Sequence, residues 1–205
     1  MDRKNGRIRR REVLGPAAGT TASAIAKRTL PSVVMLVLET NRGEVMGSGF
    51  VIAPNIVVTN NHVVKGARRG VVKFVGRDAP YQISRFTAFD PFNDLALVAI
   101  TAPDVPSLTL RPDSSPELGD EIYVIGNPEG LEATFSRGNI SGFRRRDGHD
   151  WLQITAPISH GSSGGPVLNA SGEVIGVAVA TLSNGQNLNF AVPAKYIRNL
   201  LTQSH

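Results

Sequence analysis

The sequence predicts an all-β chain: two six-stranded antiparallel β-barrels followed by a C-terminal helix. Three observations carry that prediction. Apolar runs come in strand lengths, and even Val33 to Leu38 is only six residues long. The runs are punctuated by 21 glycines and 13 prolines. The intervals between them leave no room for crossover helices, so neighbouring strands must pair antiparallel.

Residues 33–39 form a continuous β-branched and aliphatic run. The turn Asn41-Arg42-Gly43 follows, and then a second run through Gly49-Phe50-Val51-Ile52-Ala53, which together make a hairpin signal. Further runs at 56–59, 71–75, 81–89 and 95–100 are separated by Gly70, Gly76, Pro80, Asp90 and Pro91. These six place the first barrel at about residues 31–105. A polar, proline-rich connection at 101–119 interrupts the pattern. It resumes at 121–125, 134–141, 151–156, 166–168, 173–181 and 187–192, which gives a second barrel at about 115–192. Asn169-Ala170-Ser171-Gly172 reads as a tight hairpin loop with glycine where a positive φ is needed. Pro193 can open a helix, and Tyr196, Ile197, Leu200 and Leu201 make one apolar stripe, so the terminal helix is predicted at 193–203.

Composition excludes several function classes. The 205 residues are 41% hydrophobic and 19% charged, enough for one large core or two small ones. A membrane-spanning helix needs about 20 apolar residues, so no span is predicted. Without cysteine there is no disulfide, thiol nucleophile or thiolate metal site. The net charge of +5 is an end effect: Arg3, Lys4, Arg7, Arg9, Arg10 and Arg11 face only Asp2 and Glu12, leaving the remainder nearly neutral. No aromatic residues are interleaved with that arm, so no nucleic-acid partner is expected. Residues 1–30 form a basic arm in which Arg10-Arg11-Glu12-Val13-Leu14 resembles a twin-arginine export signal. The stretch ending in Ala24-Ile25-Ala26 has the small-x-small pattern that a signal peptidase accepts. The alternative is a solvated tail leading into a short helix over 22–28. The first reading places the protein in the periplasm or outside the cell, the second in the cytoplasm.

The chemistry begins at Gly161-Ser162-Ser163-Gly164-Gly165-Pro166. Glycines around a serine let the backbone turn sharply and present a nucleophile beside its own amide. The same string fits the G-x-S-x-G elbow of α/β-hydrolases, but that elbow requires its histidine after the serine, and only the terminal His205 follows Ser163. In the order His, Asp, Ser the candidates are well placed. His62 lies in Thr59-Asn60-Asn61-His62-Val63 at the end of an apolar strand. Asp94 stands immediately before the run that starts at Leu95, whereas Asp90 reads as a turn aspartate.

Gly47-Ser48-Gly49-Phe50, Thr59-Asn60-Asn61-His62-Val63, Asp94-Leu95-Ala96, Gly126-Asn127-Pro128 and Gly161-Ser162-Ser163-Gly164-Gly165-Pro166 together resemble the chymotrypsin-fold serine proteases of the HtrA/Deg branch. The motifs occur in family order over about 24–201. The resemblance implies a chymotrypsin-like double barrel with His62, Asp94 and Ser163 as the triad in the cleft between barrels. It also implies an oxyanion hole formed at Gly161, Ser162 and Ser163 by the amides of Gly161 and Ser163. It places the primary specificity pocket at Ile158, His160, Val179, Ala180, Thr181, Leu188 and Phe190. No acid stands among these, so cleavage after small or medium aliphatic residues of unfolded protein substrates is expected.

The sequence departs from the branch in several respects. Ser159-His160-Gly161-Ser162 replaces the usual Asn-Pro-Gly-Asn, which makes His160 a second imidazole near the site. The branch's trimers use an aromatic N-terminal segment, yet residues 1–30 contain no aromatic residue, so no oligomeric state is assigned. No PDZ module is expected after the terminal helix. His149, Asp150 and Asp147 match no metal template and read as part of a charged loop that begins at Arg144-Arg145-Arg146, so no metal or organic cofactor is expected. The rival reading is a protease-shaped chaperone or peptide-binding module with little or no catalysis.

Overall fold

The protein is described by a computed structural model, which covers residues 21–102, 104–111, 116–127, 133–180 and 189–203. The first barrel is closed by β1 (Val33–Thr40), β2 (Gly43–Ala53), β3 (Ile56–Thr59), β4 (Ala67–Phe74), β5 (Tyr81–Asp90) and β6 (Leu95–Ile100), in the spatial order β1-β2-β3-β6-β5-β4. The second is closed by β7 (Glu121–Gly126), β8 (Thr134–Arg146), β9 (His149–Ile154), β10 (Pro166–Asn169), β11 (Val174–Val179) and β12 (Asn189–Pro193), in the order β10-β11-β12-β9-β8-β7. All pairings within the barrels are antiparallel. This is the predicted double barrel.

The alternation of side chains along each strand explains why the apolar runs are uninterrupted. In β1, Val34, Leu36 and Leu38 fill the first barrel, while Val33 points into a seam between the barrels. In β6, Ala96, Val98 and Ile100 face inward, and Leu95 and Leu97 face the same seam. In β7, Ile122 and Val124 fill the second barrel, and Tyr123 and Ile125 lie in the seam. Strands buried on both faces have no polar side. The seam is therefore a third core, and the loops that leave it are held at fixed separation.

Two helices close the ends of that seam. In α1 (Ala22–Thr29), the Thr21 side chain accepts from Ala24 N, and Ile25 is fully buried in the seam, a burial worth about 2 kcal/mol. This is the short helix of the alternative reading, and it contains Ala24-Ile25-Ala26. The rest of the arm, with Arg10 and Arg11, lies outside the described residues. In α3 (Lys195–Gln203), Ile197 and Leu200 are buried. Lys195 Nζ, at 2.5 Å, and Tyr196 Oη, at 3.0 Å, donate to Asp150 Oδ2 and hold that carboxyl below its ordinary range, Lys195 having the larger effect.

Two expectations are corrected. Pro193 does not open the helix: it pairs with Gly176 as the last residue of β12, and Ala194 N still donates to Ile175 O. Residues 144–150 are not a loop. Arg144, Arg145 and Arg146 pair with Trp151, Asp150 and His149 in a hairpin that continues beyond the barrel wall, where charged side chains reach water from a paired backbone. No helix among the described residues is long and apolar enough to cross a membrane.

Candidate functional site

His62 is delivered by the short α2 (Asn61–Val64), which starts where β3 ends, and Asp94 ends the turn that leads into β6. Because β3 and β6 are paired neighbours, these two positions are set side by side. Four hydrogen bonds lock them. Asn60 Nδ2 and Asn61 N donate to the Asp94 carbonyl at 2.9 and 3.1 Å. His62 N reaches Asp94 Oδ1 at 2.8 Å, and His62 Nδ1 lies 2.7 Å from Oδ2. Asp94 has φ +54, a region that aspartate tolerates better than most residues. Asp90 fills the turn role expected of it, accepting from Asn93 N and Nδ2. An ionised carboxylate has no proton to give, so Nδ1 carries the hydrogen and the neutral ring keeps its lone pair on Nε2. The imidazole is 48% exposed against 22% for the Asp94 side chain, which leaves its far edge open.

Ser163 sits in the turn between β9 and β10, with Gly161 at φ +91 and Gly164 at φ +90. Ser48 Oγ donates to the Gly161 carbonyl at 2.6 Å, Gly165 N to the Ser162 carbonyl at 3.0 Å, and Ser48 N to the Ser163 carbonyl at 2.8 Å. Ser162 N donates to Ser159 O and Gly164 N to Ala178 O. Among the described residues, the amides of Gly161 and Ser163 have no partner, which leaves two donors available on one turn. Ser162 and Ser163 are buried, and Ser163 Oγ accepts from Ala180 N at 3.0 Å.

The structure therefore joins His62 to Asp94 directly, while Ser163 is bonded to Ala180 and not to His62. The turn that carries Ser163 is nonetheless packed closely against the strands of the first barrel. A Cβ on Gly164 would lie 2.0 Å from Ser48 O and 2.4 Å from Thr59 Oγ1, and Thr59 ends the strand that leads to His62. Neither neighbour can move, since Thr59 Oγ1 itself donates to Ser48 O at 2.7 Å inside the seam. Gly164→Ala combines that clash with an unfavourable φ, and a loss of more than about 3 kcal/mol is expected. A urea denaturation curve shifted to a lower midpoint with unchanged slope checks it; an unshifted midpoint refutes it.

Of the predicted pocket residues, Ile158 packs partly buried on the second barrel's core, and Val179 on the seam. Ala180 is half-buried beside Ser163, and Phe190 meets the edge of Trp151 at 6.3 Å. His160 is exposed and makes no side-chain hydrogen bond among the described residues. Thr181 and Leu188 lie outside the described residues. An open cleft of about 470 Å³, lined by Thr40, Asn41, Arg42, His62, Lys65 and Gly66, flanks the imidazole. Sequence reasoning assigned no role to Ser48 or Asn127; the available signal was a small polar residue inside a motif flanked by apolar strand residues.

Residues 47–177 match the family of trypsin-like peptidase domains. The chain is 36% identical over 171 residues to a probable periplasmic serine endoprotease DegP-like from Chlamydia trachomatis, covering 79% of this chain and 34% of that protein. It is 35% identical over 169 residues to the periplasmic serine endoprotease DegP of Salmonella typhimurium, covering 77% of this chain and 35% of that protein. It thus spans about a third of the length of these curated relatives. Among solved structures it resembles the active form of the Rv3671c protease from M. tuberculosis, with TM-score 0.82 and 27% identity over 92% of this chain and 88% of that one. It also resembles the HtrA-type protease AlgW with a tripeptide, with TM-score 0.81 and 29% identity over 89% and 63%.

Proposed function

We propose, since the chain belongs to the trypsin-like peptidase family and to its HtrA-like branch, that it is a serine endopeptidase cutting protein substrates through an acyl-enzyme on Ser163. The observation that carries this reading is a histidine doubly bonded to an aspartate in a chain whose serine turn leaves two amides, Gly161 and Ser163, without a partner among the described residues.

The Ser163 hydroxyl is a weak nucleophile at neutral pH and needs a base. Ala180 N occupies one Oγ lone pair and leaves the hydroxyl proton free to pass to His62 Nε2 as Oγ bonds to the peptide carbonyl. Asp94 fixes the tautomer and balances the imidazolium. The carbonyl oxygen becomes an anion that takes the Gly161 and Ser163 amides. The imidazolium then gives its proton to the departing amine as the C–N bond breaks, and water repeats the sequence to release the acid. Among the described residues His160 has no carboxylate partner, which favours His62 as the base.

The residues assigned to the pocket from the sequence, Ile158, His160, Val179, Ala180, Thr181, Leu188 and Phe190, include no acid to meet a buried lysine or arginine. Valine, alanine, leucine or isoleucine before the cut should exceed arginine or lysine by at least about 100-fold in kcat/KM. Cleavage profiling on a peptide library checks this, and a preference for basic residues refutes it. Such side chains are buried in folded proteins, so unfolded chains are the fitting substrates, as in protein quality control. A second reading, a peptide-binding chaperone of protease shape, draws on Ser163 Oγ resting on Ala180 instead of His62. Casein hydrolysis by the wild type, set against Ser163→Ala, separates the two.

A further inference from the structure

Gly47-Ser48-Gly49-Phe50 in β2 and Gly126-Asn127 at the end of β7 have no part in the reaction above, yet they meet beneath the Ser163 turn. Ser48 is 0% exposed and Asn127 2%, so their polar atoms must find partners inside the protein. Ser48 Oγ lies 2.6 Å from Gly161 O, 2.9 Å from Asn127 N and 3.3 Å from Asn127 Nδ2. The amide orientation of Asn127 is set by its other bonds: Oδ1 accepts from Ala133 N at 3.0 Å, and Nδ2 donates to Val34 O at 3.1 Å. Both Asn127 nitrogens are therefore donors to Ser48. A hydroxyl has one proton, and with its other neighbours donating, that proton goes to Gly161 O.

We propose that Ser48 is a positioning residue that aims the oxyanion donors, an inference that rests on the serine-protease reading. Its side chain holds the Gly161 carbonyl and its main-chain amide holds the Ser163 carbonyl, so one residue of the first barrel clamps the turn of the second at two points. In a trans peptide the N–H points opposite to its carbonyl. The two held carbonyls share their peptide planes with Ser162 N and Gly164 N. The clamp therefore fixes the planes on either side of the Ser162–Ser163 peptide that carries one donor, and the plane joined at the Gly161 Cα to the His160–Gly161 peptide that carries the other. Gly161, at φ +91, is a soft joint of the turn on the side of the first donor. Without the hydroxyl, the Gly161–Ser162 peptide loses its anchor, and rotation at the Gly161 Cα no longer holds the adjoining His160–Gly161 peptide, whose N–H is one of the two donors, in a fixed direction. Asn127 completes the device by orienting the hydroxyl, and Gly126 makes room for it, since a Cβ there would lie 2.8 Å from Ser162 Cα. Both motifs serve one purpose.

The test compares the full chain with Ser48→Ala and with Ser48→Cys, which keeps the shape but donates weakly. The readouts are kcat and KM per titrated active site on an aliphatic peptide, and the Ki of a peptide aldehyde, whose adduct oxygen occupies the hole. Ser48→Ala should lower kcat on the order of 10- to 100-fold, short of the loss from deleting a donor outright, with KM changed less than about threefold. The aldehyde Ki should weaken by the same factor as kcat falls, and Ser48→Cys should lie between. A merely structural Ser48 would reduce the titratable fraction and leave kcat per site and Ki at wild-type values, which overturns the proposal. If Ser48→Ala does not fold, Ser48→Cys decides: wild-type kcat and Ki overturn it. Undiminished cleavage by Ser163→Ala would instead overturn the serine-protease reading, a separate result.

Discussion

Ser163→Ala is expected to lower kcat on casein or an aliphatic peptide by about 10⁶-fold, the scale of nucleophile loss in serine proteases. The reason is specific to this site: the described part of the turn offers no second hydroxyl positioned to replace it. Ser162 is buried, and its Oγ lies within reach of Ser159 N instead. Residual turnover of about 10³–10⁴ over water should survive, because the Gly161 and Ser163 amides belong to the backbone and remain in the variant. Ala180 N loses its acceptor, at about 1–2 kcal/mol for a partly buried amide. The variant should therefore fold, unfold a few degrees lower and bind unfolded casein undiminished. Initial rates by chromatography together with thermal unfolding give the result. Equal cleavage by both proteins would remove Ser163 from the reaction, while no cleavage by either would leave the binding-module reading in possession.

Much of this arrangement was legible locally, and what was not has physical causes. β3 and β6 match the sequence prediction to the residue, because each is a short strand buried on both faces and ended by polar residues. His62 and Asp94 stood out for a related reason: Asp94 directly precedes the apolar β6, and His62 lies on the turn three residues after the largely apolar β3, both at the lip of a core. β8 and β9 were read too short at their hairpin end. Arginines 144–146 carry no apolar period, and only pairing with the opposite strand makes them β. Pro193 was assigned to the helix by propensity, yet its register with Gly176 keeps it in the sheet. The least legible feature was the link from Ser48 to Asn127 and Gly161. It joins residues 79 and 113 positions apart, and nothing in the local pattern of either motif points to the other.

Asp94→Asn should lower kcat about 10⁴-fold, the loss this exchange produces in a chymotrypsin-fold triad, without unfolding the protein. The structure supplies the cause. Asp94 accepts two hydrogen bonds from one residue, His62 N on Oδ1 and His62 Nδ1 on Oδ2. A carboxamide can accept on only one of those atoms. The main-chain N–H has no alternative to donating, so the amide oxygen stays on it and the NH₂ group turns toward the ring. Nδ1 must then become the acceptor, which moves the ring proton to Nε2, and that nitrogen can no longer take the proton from Ser163. The backbone is spared, since asparagine tolerates φ +54 as readily as aspartate and the Asp94 carbonyl keeps its bonds to Asn60 and Asn61. KM should stay within about threefold while kcat falls, the signature of an interaction made in the transition state alone. Raising the pH does not restore the proton acceptor at Nε2 in the neutral range, so the deficit should persist from pH 6 to pH 9. A variant that regains wild-type kcat anywhere in that interval would show that Asp94 is not the group that selects the tautomer.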